Sequence, residues 1–252
     1  MNYPGHIIAA GNTEKGVVNA VQQQLNQKGC GPVVVSGVFD AATDAAVKLF
    51  QARFTDQHDN PLTVDGVVGP ITWATLFGSA TVLPVTTAPN VLLTQVLAVA
   101  ASQVGVMESP AGSNNGPDVN KYQDAAGAPH GEAWCMAFVF WCFLQASKNL
   151  GSANPAVKTG GVLDMWNRAS CKRVLAADAK SSTSLVLPGQ IFIISTGGGH
   201  GHTGLIERID GGLLTTIEGN TNNSGSREGI GVFRRKARTI NSINEGYLEY
   251  RL

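Results

Sequence analysis

A chain of 252 residues with 18 Lys plus Arg against 18 Asp plus Glu has no net charge, so it offers no basic field to nucleic acid or to an anionic membrane. Apolar residues make up 43%, enough for a sizeable core in one or two domains, and no acidic run marks a disordered tail. Cys30, Cys135, Cys142 and Cys171 are scattered without a CxxC pair, which argues against a structural zinc site or a disulfide framework.

The opening stretch, MNYPGHIIAAGNTEKG, lacks a basic leader and a sustained apolar core, so it does not read as a signal peptide. The chain is therefore expected to be made in the cytoplasm. The longest apolar run, WCMAFVFWCFL, falls well short of the ~20 residues that span a bilayer, so no membrane insertion is expected.

Residues 17–78 read as a small helical unit. GVVNAVQQQLNQKG has apolar residues near helical spacing and a Gly stop. DAATDAAVKLFQARF begins with Asp40 as an N-cap and carries Ala46, Val47, Phe50 and Phe54 on one stripe. Pro70 opens a third short helix that Gly78 ends, and the turns SGVFD and VDGVVGP lie between. The first domain is thus placed at 1–78. The uncharged stretch SATVLPVTTAPN, 79–90, reads as a semi-extended linker. The second domain, 91–252, is helical to about residue 170. It then turns into short runs rich in β-formers: IFIIS, HTGLIERI, LLTTIEG, GVFRRKA and GYLEYRL. Helices first and strands afterwards imply an α+β class, with a sheet packed on a buried helix.

GEAWCMAFVFWC, 131–142, holds two cysteines seven residues apart, roughly 10 Å along a helix, too far for a disulfide. Cys135 falls at the first turn of that helix, where free N–H groups and the positive dipole end favour a thiolate. Cys142, two turns on, reads as core. A nucleophilic thiol needs a base, and His202 heads the run HTGLIERI, whereas His200 sits in a Gly-rich turn. TTIEGN supplies Glu218 to orient the imidazole and Asn220 as a further polar group, and backbone N–H groups at the helix start would hold an oxyanion. A zinc site through HGH lacks a third ligand at a supporting spacing. A calcium loop at Asp118, Asn120 and Asp124 has Gln123 and Pro129 where Gly and Glu are needed. No metal and no cofactor are expected. The loop GNTNNSGSREG, 219–229, lies beside the proposed site as groove lining or solvated loop.

The pattern Asp-Gly-x-x-Gly-Pro-x-Thr-Trp-x-x-Leu at 65–76 resembles the three-helix peptidoglycan-binding module of cell-wall hydrolases. That likeness implies affinity for glycan strands or stem peptides, with Trp73 as a substrate contact or as core. NNGPDVNKYQDAAGAPHGEAWCMAFVFWC, PGQIFIIS, GHTGLIE and TTIEGNTN resemble the CHAP domain, the cysteine- and histidine-dependent amidohydrolases and peptidases of the papain-like superfamily. By that resemblance Cys135 is the nucleophile, His202 the base, Glu218 its orienting partner and Asn220 an auxiliary group, with Trp134 beside substrate. Met136 and Gln190 depart from the small residue and the Asp that are common at those positions. The resemblances together imply a peptidoglycan hydrolase, amidase favoured over endopeptidase, acting as a monomer on the wall in the periplasm or outside the cell. Behind the endopeptidase stand a catalytically dead wall binder and a zinc peptidase as further alternatives, and holin-dependent release or a cognate immunity protein is the expected setting.

Overall fold

The computed structural model describes residues 3–57, 59–78, 85–210, 213–222 and 229–252. The chain forms two compact units, one built mainly on Met1–Pro84 and the other on most of residues 85–252.

The first unit holds α1 (Lys15–Gln27), α2 (Ala41–Arg53) and α3 (Pro70–Phe77). Val18, Val21 and Leu25 of α1, Val47 and Phe50 of α2, and Trp73 and Leu76 of α3 share one core. Asp40 caps α2 as its sequence suggests, accepting from the Thr43 N–H at 2.8 Å. Gly78, at φ 63°, closes α3 in the left-handed region where glycine is favoured.

Two buried glutamines organise this unit. Gln22 accepts from the N–H groups of Ser36 and Gly37, and its amide donates to the Val38 carbonyl and to Thr43. Gln51 accepts from Asp65 and Gly66 and donates to the Val67 carbonyl and to Thr72. Each partner of Gln51 lies the same distance along the chain beyond the matching partner of Gln22. The first unit is therefore two copies of one device, a helix whose buried glutamine clamps the turn after it. Gln51→Ala should cost about 2–4 kcal/mol, because several buried backbone groups lose their partner at once. Amide exchange in α1–α3 would report it as lost protection, with exposed Gln23→Ala as control; equal protection in the two variants refutes the clamp.

The second unit holds α4 (Val91–Ser102), α5 (Pro117–Ala126), α6 (Cys135–Asn149), α7 (Val162–Arg168) and α8 (Ala176–Ser181). Its strands are β1 (Lys172–Leu175), β2 (Ile191–Gly197), β3 (His200–Asp210), β4 (Leu213–Thr221), β5 (Gly231–Thr239) and β6 (Gly246–Glu249). They form one sheet in the order β1-β6-β2-β3-β4-β5, and the pairs β1/β6, β2/β6 and β2/β3 run antiparallel. Ile191, Ile193, Leu205 and Ile217 pack into the core that contains Phe138, Cys142 and Phe143 of α6. Phe192, Ile206 and Leu214 join a second cluster with Ile240, Ile243 and Tyr247. This is strand alternation with both faces buried. The α+β architecture, with the sheet packed on the cysteine-bearing helix, is as the sequence implies.

Within the stretch read as a linker, residues 79–84 lie outside the described residues. Val85 pairs with Ile209, and Asn90 caps α4 while its amide donates to the Tyr250 carbonyl at 3.1 Å. Residues 85–90 are thus folded into the second unit. Of the polar loop 219–229, residues 223–228 also lie outside the described residues, and Gly219–Thr221 finish β4.

Candidate active site

Cys135 is the first residue of α6, and Trp134 occupies the N-cap without a side-chain cap. The N–H groups of the first turn therefore lack helical partners. Trp134 is tied down from behind: its indole N–H donates to Glu108 at 2.8 Å, and the other Glu108 oxygen accepts from the Asn114 N–H. Gly219 of β4 lies so close to this turn that a Cβ there would fall 2.8 Å from both Trp134 and Phe138. The missing side chain is what lets the strand reach the start of the helix.

β3 delivers His202, whose Nε2 is 2.7 Å from Oε2 of Glu218 on β4. Cys135 lies close enough to the same imidazole to help raise its pKa. With Nε2 committed to Glu218, Nδ1 is the atom left to face the thiol. The three side chains thus form one line, Cys135 to His202 to Glu218. All three are buried.

Electrostatics follow from that line. Burial alone pushes the His202 imidazole down, but hydrogen bonds and charge from Cys135 and Glu218 outweigh it and lift the pKa to about 9. Burial likewise pushes Glu218 up, yet His202 and Arg238 hold it well below the usual carboxylate range. At neutral pH the charge on the imidazole is therefore stable. Cys142 sits apart in the core, where burial drives its thiol far up.

Residues 15–76 match the peptidoglycan-binding domain family and residues 127–220 match the CHAP domain family. The chain joins a peptidoglycan-binding domain to a CHAP domain. Together they make it a peptidoglycan hydrolase of the cysteine- and histidine-dependent kind, amidase or endopeptidase. No curated protein and no solved structure matches the chain. The CHAP match contains Cys135, His202 and Glu218 and ends at Asn220.

Several expectations from the sequence need correction. Trp73 is 1% exposed and stacks on Phe77, and Trp134 is fully buried against Tyr122, so neither indole is presented to a polymer. Both are core. A Cβ at Gly204 would collide with Glu218 and Phe192, so its absence admits the Glu218 side chain. Asn220 is buried at φ 50°, and its side chain accepts from the Gly229 N–H at 3.3 Å, anchoring the end of β4 beside the site.

His200, the other half of HGH, is exposed. Asp118 and Asp124 lie on α5, where Asp118 is ion-paired with Lys121 and Asp124 shares a hydrogen bond with His130. Among the described residues no group of three or more His, Cys, Asp or Glu side chains could hold a metal ion. Sequence reasoning also missed Glu108, Thr216, Arg235 and Arg238. Thr216 and both arginines bond Glu218. Three arginines in the β-like run GVFRRKAR, downstream of a proposed catalytic carboxylate, were the available signal.

Proposed function

We propose that the CHAP domain of this chain cleaves the bond between the lactyl group of N-acetylmuramic acid and L-alanine, with Cys135 as nucleophile. The observation that carries the reading is the buried line Cys135–His202–Glu218. The Cys135 sulfur attacks the carbonyl carbon, and the free N–H groups at the start of α6 stabilise the oxyanion. The charged His202 gives its proton to the departing amine, so the C–N bond breaks and a thioester remains. Neutral His202 then takes a proton from water, the hydroxide attacks the thioester, and the sulfur leaves as thiolate beside the recharged imidazole. Glu218 holds the ring throughout and stabilises its charged form.

The peptidoglycan-binding domain supplies local concentration on a polymeric substrate and takes no part in bond breaking. The choice of bond rests on the frequency of amidase activity among CHAP domains. Cleavage inside the stem peptide or cross-bridge is the second reading, favoured by the same site. Digestion of purified sacculi by the full chain, with mass spectrometry of the products, decides between them. Free peptides beginning with alanine and glycan strands bearing lactyl carboxylates are the expected products. New amino termini within peptides still attached to glycan would overturn the amidase assignment.

A further inference from the structure

Glu218 is gripped from β5 by two residues that lie beyond the stretch matched to the CHAP family. The Arg238 Nε donates to Oε1 at 2.7 Å and its Nη2 to Oε2 at 2.7 Å, a two-pronged contact with both carboxylate oxygens. The Arg235 Nη1 reaches Oε2 at 3.3 Å, and the Thr216 hydroxyl donates to Oε1. Counting His202, five donors converge on one fully buried carboxylate. The Arg238 guanidinium also lies 4.7 Å from the centroid of Phe192, whose ring is 6.0 Å from that of His202. The arginine is thus fixed on two sides, by the carboxylate it holds and the ring it covers.

We propose that Arg238, assisted by Arg235, is a positioning residue of the hydrolytic reaction: it locks the Glu218 carboxylate in the one rotation that presents Oε2 to His202 and keeps that carboxylate ionised in the core. This rests on the reading of Cys135–His202–Glu218 as the catalytic line. A carboxylate held only by His202 is free to turn about its last bond, and the imidazole turns with it. A bidentate guanidinium removes that freedom. Burial also opposes the charge on Glu218, and a neutral Glu218 no longer supports a charged imidazole. The charged and titratable groups acting on this carboxylate and its clamp are His202 from β3, Arg235 and Arg238 from β5, Cys135 from α6 and Tyr247 from β6. Arg235 and Arg238 on β5 supply fixed positive charge there.

The test uses the full chain and a defined soluble muropeptide, with circular dichroism confirming folding. Arg238→Gln should lower kcat by about 10- to 100-fold at nearly unchanged KM, the scale seen when the outer partner of a working group is removed. The acid limb of its kcat/KM profile should move to higher pH, because Glu218 protonates more readily. Arg238→Lys keeps the charge but not the fork, so the acid limb should return towards wild type while part of the loss in kcat remains. Arg235→Gln should shift the limb in the same direction by less, and it gives a reading even where Arg238→Gln fails to fold. Wild-type kcat and pH profile in Arg238→Gln, or in both Arg238→Lys and Arg235→Gln where Arg238→Gln does not fold, would overturn the proposal. Cys135→Ala and His202→Ala run beside them: if these stay active the catalytic line itself is wrong, whereas dead controls with fully active arginine variants sink the clamp alone.

Discussion

Cys135→Ala is expected to lose at least about 10⁴-fold in bond cleavage while sacculus binding stays at the wild-type level. The magnitude follows from the role, since removing a nucleophile leaves only the rate help of binding and oxyanion contacts. The separation of the two readouts follows from the architecture. Binding belongs to the domain matched over 15–76, which forms its own core around Trp73, Phe50 and Val21. Cys142 is the natural control on the same helix, fully buried in the core. Cys142→Ala should stay active and lose about 1 kcal/mol from a small core cavity. Iodoacetamide should inactivate the wild type and EDTA should not. Full activity in Cys135→Ala ends the proposal, and loss to EDTA with recovery on zinc would move the chemistry to a metal.

Much of this was legible locally. Asp40, Pro70 and Gly78 announce helix ends because capping and positive φ are decided within a turn of the residue. Cys135, His202 and Glu218 could be ordered into a line because the sequence sets the thiol at a helix start and the other two on successive strands, which adjacent pairing brings together. The hidden part depends on which layer meets which. Alternation places His202 and Gly204 on the same face, yet only the packing of β4 on α6 shows that Gly219 is the glycine that admits the helix. Gln22 and Gln51 look like polar residues on exposed turns of helix, since nothing in hydropathy says that a buried amide closes the next loop. Trp134 reads as a surface aromatic beside a nucleophile until Glu108, far back in the chain, is seen to hold its N–H. Arg238 was missed for the same reason. An arginine on a strand reads as solvated, and its partner is named only by the sheet order that sets β5 against β4.

His202→Ala should lose at least about a hundredfold in rate, the low end for removing a general acid or base, whereas His200→Ala should stay within about a few-fold of wild type. The two histidines stand one residue apart in sequence but in opposite surroundings. His200 is exposed at the start of β3, while His202 is 5% exposed and pinned between Cys135 and Glu218. Glu218→Gln should fall between them. The amide keeps the length of the carboxylate, but its NH₂ faces donors from Arg238, His202 or Thr216, so stability should fall along with rate. A second measurement separates the pair without kinetics. His202 titrates near 9 in the fold against 6.5 as an ordinary histidine, so its charged form favours the folded state. That contribution is fully present below about pH 6.5 and is lost as pH rises through about 9. The unfolding temperature of the CHAP domain should therefore fall across this window in wild type and in His200→Ala, and the slope should flatten in His202→Ala. An inactive His200→Ala beside an active His202→Ala would mean that β3 is in the wrong register, and the base assignment would go with it.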